Sequence, residues 1–188
     1  MRPYLPLGRV RGVSLRVSWT APIGALFFGG LDPAGAAAWL AVVSVHEIGH
    51  AILAQRFGRG VTGLSLHALG GECEWIVGTH RWGREIVAWG GVLAQLALFA
   101  LVLGIDAVRP LTPILGLHAF LALTGYNLFM ALFNLAPIGN FDGRRAWPLL
   151  AILAPSNLRA WWRKRSREQP WGESRELRRK LSDRNRRP

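Results

Sequence analysis

The chain has 188 residues, enough for one domain. It is 51% hydrophobic, with a mean hydropathy of +0.21, despite 23 Lys and Arg against 11 Asp and Glu. Its apolar and charged residues are segregated, which points to a small polytopic membrane protein. The lone Cys73 excludes an intrachain disulfide.

The first sixteen residues carry Arg2, Arg9, Arg11 and Arg16 and no apolar core, so no cleaved signal peptide is expected. They read as an extended lead-in on the cytoplasmic surface, with a strand over 13–17. Residues 17–31 are apolar but short: as a helix they would rise only about 22 Å, against about 30 Å of bilayer hydrocarbon. Asp32-Pro33 is a tight turn with Asp32 placed as an N-cap and Pro33 at the first helical position. A spanning helix is expected over 34–56.

That helix carries His46-Glu47-Ile48-Gly49-His50 inside an apolar run from Ala34 to Leu53 that has no other ionisable residue. Histidines at i and i+4 share a helix face and can bind one zinc ion, and the adjacent glutamate can act on water as a base. The competing reading is a soluble core helix with two hydrogen-bonded histidines. Ionisable groups in an apolar span are costly and usually mark function. At 1.5 Å per residue the two histidines lie about 15 and 9 Å from the basic end at Arg56, so water must reach them through a polar cavity.

Residues 57–83 are Gly-rich, with strand-like runs over 61–69 and 72–77 around Leu69-Gly70-Gly71-Glu72, and a β-hairpin or ribbon is expected. Its exposed edge could hold an unfolded substrate by strand addition. His67, Cys73 and His80 lie here without a metal-spaced partner and read as facing solvent or headgroups. A third helix is expected over 84–105, with small residues that permit close approach. Its Gln95 is read as bonding within the bundle rather than to the His46 helix. Asp106, Arg109 and Pro110 form a short loop. A fourth helix is expected from Thr112 to Leu135, ended by Pro137 and followed by Ile138-Gly139-Asn140-Phe141-Asp142-Gly143 as irregular backbone. Asp142 is either the oxygen ligand completing a two-His, one-carboxylate zinc site or a turn residue of an Asp-Gly pair. His118 lies far from that end and is not read as a ligand.

An interfacial piece follows at 147–153. From Asn157 onward twelve Arg or Lys face four Asp or Glu, with Trp161, Trp162 and Trp171 interleaved. This basic tail is expected to bind anionic lipid in preference to nucleic acid. The expected fold is therefore mainly α: about four transmembrane helices, a small ribbon after the HExxH helix and a basic C-terminal tail. A membrane-embedded domain over 1–156 precedes the tail, 157–188. The positive-inside rule puts both termini in the cytoplasm of a bacterial-type cell membrane.

His46-Glu47-Ile48-Gly49-His50 followed by Asn134-Leu135-Ala136-Pro137-Ile138-Gly139-Asn140-Phe141-Asp142-Gly143 resembles the paired motifs of the site-2 protease family of intramembrane zinc metalloproteases, over roughly residues 15–150. The resemblance implies one zinc per chain on His46, His50 and Asp142, with Glu47 as general base. It implies that Asn134 positions substrate or the oxyanion, and that Gly70 and Gly71 lie in a substrate-binding hairpin. The partner would be a transmembrane protein or peptide, cut in regulated intramembrane proteolysis. Val92, Gln95, Asn140, Phe141 and Arg144 depart from the family pattern, and they motivate the alternative of a catalytically inactive protease-like membrane adaptor. Oligomeric state has no signature in the sequence.

Overall fold

A computed structural model describes residues 4–150 apart from 59, 77, 79–81 and 140. Val77, His80, Asn140 and the basic tail named above lie outside the described residues. Met1–Leu149 forms one compact unit and Leu150–Pro188 a second, of which only Leu150 is described.

The lead-in is a hairpin, β1 (Tyr4–Val10) and β2 (Val13–Ser18). Its two-residue loop holds Arg11 at φ 50° and Gly12 at φ 86°, the positive pair that a tight hairpin of native twist requires. A short helix α1 (Ala21–Gly29) and a long helix α2 (Pro33–Phe57) follow. The chain then returns as β3 (Val61–His67) and β4 (Gly70–Trp75). The four strands form one sheet in the order β1-β2-β3-β4, with β2 parallel to β3 and the other pairs antiparallel. A parallel pair needs a crossover, and α1 with α2 supplies it. Arg16 of β2 reaches across β3 to pair with Glu74 of β4 at 2.5 Å. Any side chain larger than that of Gly63 would obstruct this bridge.

The expected apolar span over 17–31 is built differently from a helix. Thr20 and Pro22 start α1 only at Ala21, and Gly30 at φ 78° ends it after nine residues, about 14 Å. The Ala68 N–H donates to Thr20 Oγ1 at 3.2 Å, and Gly24 lies too close to the Ala68 carbonyl for a Cβ. The beginning of α1 is thereby fixed to the β3–β4 turn. Gly29 abuts the backbone of Gly35 and Ala36 at the beginning of α2. Strand β2 leads directly into helix α1, which packs on α2. The strand holds its backbone groups by pairing with β3.

Helix α2 begins on Asp32, whose carboxylate accepts from the Ala34 and Gly35 N–H groups at 3.3 and 3.1 Å, as expected of the Asp-Pro turn. Helix α3 spans Gly83–Val108. The expected fourth helix is split by Gly116 at φ 79° into a single turn, α4 (Thr112–Leu115), and a continuous rod over 117–134. The rod consists of α5 (Leu117–Leu121), a widened π turn (Ala122–Tyr126) and α6 (Asn127–Asn134). Helix α7 (Gly143–Leu150) ends the described residues. Among these residues three helices are long and apolar enough to cross a membrane: α2, α3 and the 117–134 rod. Their outward faces expose Leu101, Leu103, Ile105, Phe129 and Leu132, suited to lipid rather than water. The inward faces enclose Ala25, Ala38, Trp39, Val43, Ala119 and Ala122, with Phe28 stacked on Trp39.

Helix α2 also crosses α3 at close range. A Cβ at Gly49 would overlap the Gly90 carbonyl, and one at Gly90 the Gly49 carbonyl. Backbone meets backbone there, as small residues in membrane interfaces allow. Gly90→Leu should therefore destabilise the detergent-solubilised protein by about 1–3 kcal/mol, an overpacking cost, seen as a lower thermal midpoint. Gly104→Leu, a position with open space around it, should leave the midpoint unchanged or raise it.

Candidate metal centre

The α2–α3 crossing sets the site. Gly49 lies between His46 and His50, so its contact with Gly90 brings both imidazoles against α3. The His46 Nδ1–H donates to Gln95 Oε1 at 2.9 Å, and the His50 Nδ1–H donates to the Val87 carbonyl at 2.8 Å. Val87 and Gln95 lie about two helical turns apart on α3, against one turn between the histidines. Gly91 leaves room for the His46 ring, which any Cβ there would strike.

These two bonds fix the chemistry. A hydrogen on each Nδ1 leaves each Nε2 with a free lone pair. The two Nε2 atoms are 3.0 Å apart, and Asp142 Oδ2 lies 3.1 Å from each. Both rings are buried, edge to face at 4.6 Å between centroids, and Asp142 is largely buried. Three lone-pair donors converging on one point repel one another unless a cation lies among them. Two imidazoles and one carboxylate are a donor set that suits zinc and leaves a fourth position open. His46, His50 and Asp142 are thus a group able to hold a metal ion.

Asp142 reaches this point because its own backbone carbonyl starts α7, accepting from the Arg145 and Ala146 N–H groups at 2.8 Å each. Its carboxylate is left to turn inward. Asn134, at the end of α6, brings Nδ2 to 3.5 Å from His46 Nε2, so its amide faces the same space. Glu47 is buried. Gly71 of β4 lies directly over its side chain, with no room for a Cβ. Gly70, the first residue of β4, is at φ 144° and approaches Met130. The structure thus brings His46, His50 and Asp142 together, with the Asn134 amide beside His46 and Gly71 against Glu47; Gly70 instead faces Met130.

Gln95 differs from its expected place: it bonds to His46 on α2, not merely within the bundle. The signal in the sequence was its position as the single uncharged polar residue deep in α3. The Val87 carbonyl had no signal, being backbone. Asn127 was passed over as well. It is fully buried and donates to the Gln95 carbonyl at 3.0 Å and to the Leu123 carbonyl at 3.2 Å. The π turn just before it swings it toward α3. Cys73 is half-buried in β4 and stands outside the metal-capable group. His118 packs on Gly30 and Gly35, at the far end of α2.

Gln95→Leu keeps the volume but removes the acceptor from His46 Nδ1–H. Metal affinity, measured by chelator competition, should fall about 10–100-fold, the usual cost of losing a partner that orients a ligand. Unchanged affinity would mean that the bond does not orient the ring.

No family model matches the chain. In Mycobacterium tuberculosis, strains Erdman and H37Rv, a protein named "Putative zinc metalloprotease Rip3" is 31% identical to it over 175 residues, covering 77% of this chain and 43% of that protein. The chain thus spans under half the length of these curated relatives. Among solved structures, the site-2 protease from Methanocaldococcus jannaschii superposes with a TM-score of 0.64 over 82% of this chain and 74% of that one, at 20% identity.

Proposed function

We propose that the chain, similar in sequence to the mycobacterial zinc metalloprotease Rip3 and in fold to a site-2 protease, is an intramembrane zinc metalloprotease of the site-2 type. In this reading it hydrolyses peptide bonds in or near transmembrane segments of other proteins, as a step of regulated proteolysis. The observation that carries the reading is the convergence of His46, His50 and Asp142 on one point, with Glu47 and a strand edge beside it.

His46, His50 and Asp142 would hold one zinc ion. When bound, the metal supplies Lewis acidity toward water and toward the scissile carbonyl. Glu47 accepts the proton of the attacking water and delivers it to the leaving amine as the C–N bond breaks. Its burial between α2 and the ribbon excludes bulk solvent from this transfer. Asn134 Nδ2 donates to the oxygen that gains charge as water adds to the carbonyl; such a donor is commonly worth about 10²–10³ in rate.

A transmembrane helix hides its peptide bonds in its own hydrogen bonds, so it must open before cleavage. Strand β4 is an edge of the sheet, and among the described residues no further strand pairs with it. A substrate segment opened to an extended form would add to that edge, and Gly71 would bring it over Glu47. We read the sheet-bearing side as cytoplasmic, because in sequence Arg56, Arg59, Arg81 and Arg84 flank the β3–β4 segment between two apolar spans, and Arg144 and Arg145 follow the last one. The tail would meet anionic lipid. The inactive-adaptor reading has no observation in its favour: Gln95, one of the departures that suggested it, still provides an acceptor for His46.

Glu47→Gln should keep the metal and lose cleavage of a co-expressed transmembrane substrate by about 10²-fold or more, the scale of general-base catalysis. Turnover retained in that variant would remove Glu47 as the base.

A further inference from the structure

The two histidines are held on α3 through Gln95 and Val87. The third donor, Asp142, is on a different segment, and the same helix reaches it by another route. Trp89, two residues after Val87 on α3, donates its indole Nε1–H to the Ala146 carbonyl at 2.9 Å. Ala146 is fully buried, and its own N–H closes on the Asp142 carbonyl. Trp147, the next residue, donates its indole Nε1–H to the Leu135 carbonyl at 2.6 Å, where α6 ends. The two indoles meet edge to face, 5.9 Å between centroids.

These bonds close the neck of the segment that delivers Asp142. Gly143 lies against the Leu135 and Ala136 carbonyls, with no room for a side chain. Further along, Arg144 Nη1 donates to the Gly139 carbonyl at 3.1 Å, and the Phe141 ring packs on Phe133 at 4.6 Å. Carbonyls at a helix end have no intrahelical donor and need one from elsewhere. Trp147 supplies it at Leu135, just where the chain leaves α6 for the irregular segment. The carboxylate of an irregular segment is otherwise the least constrained of the three donors, because neither α2 nor α3 fixes its backbone.

From this arrangement we propose that Trp89 and Trp147 form an indole clamp that positions Asp142, so that α3 orients all three metal donors. They are positioning residues: neither touches the metal point, and both act through the backbone on either side of Asp142. The inference rests on the metal-centre reading above and adds to it the device that makes the carboxylate a strong ligand.

The test is a double-mutant cycle on zinc affinity, read by chelator competition on the full chain in detergent. Trp89→Phe and Trp147→Phe each keep a ring for the aromatic contact and lose the N–H. Each should weaken zinc binding about 10–100-fold in the otherwise wild-type chain. In an Asp142→Ala background the same changes should alter affinity by less than about twofold, since coupled residues lose their effect when the partner is gone. The zinc-free thermal midpoint should stay within a few degrees of wild type, and substitution of Co²⁺ should show an altered visible spectrum in each single variant. Equal losses in both backgrounds, or no loss in either, would overturn the clamp while leaving the metal centre in place. Wild-type affinity that does not depend on Asp142 would instead overturn the metal-centre reading, and the clamp with it. Should Trp147→Phe fail to fold, Trp89→Phe carries the same prediction.

Discussion

The structure depends on α2 and α3 meeting backbone to backbone at Gly49 and Gly90. With any larger residue at either position the helices would separate, and the bonds from His46 to Gln95 and from His50 to Val87 would lengthen together. Those bonds set the tautomers, and the tautomers set which nitrogen carries a lone pair. A packing constraint between two glycines is thus converted into the electronic state of two imidazoles. The third donor comes from a segment outside that crossing, but it returns to α3 through Trp89. One apolar helix therefore serves as the reference for the whole centre.

The fold handles a second constraint, that backbone groups away from water must be paired. Residues 17–31 are too few to cross as a helix. Here β2 pairs with β3, where the ladder satisfies the backbone, and α1 follows as a nine-residue helix. The same sheet leaves β4 as an edge beside Glu47.

Much of this was legible in the sequence. The HExxH spacing on an apolar helix, the Asp-Pro start of α2, a ribbon after it and the Asn134–Asp142 segment each carry a local signature, and each lies close to where it was expected; the ribbon turns at Ala68-Leu69, with Gly70 and Gly71 already in β4. What was not legible depends on distant partners. The parallel pairing of β2 with β3 joins residues about fifty apart, and no local pattern announces it. The split at Gly116 was hidden in a continuous apolar run. Gln95 was visible as a polar residue deep in a span, but its direction was not. The Val87 carbonyl and the two indole N–H groups act through hydrogen bonds to or from backbone, which sequence patterns do not display. The Phe141 departure also becomes intelligible: its ring packs on Phe133, so a bulky residue there holds the segment rather than obstructing the centre.

The most direct test of the account is metal content. Zinc per chain should be measured on protein purified in detergent without added chelator, for wild type, His46→Ala and Asp142→Ala. The account predicts about one zinc in wild type, the single ion expected of a three-ligand catalytic site, and loss or marked weakening in both variants. Zinc that survives Asp142→Ala unchanged, or a wild-type chain that binds none, would contradict it.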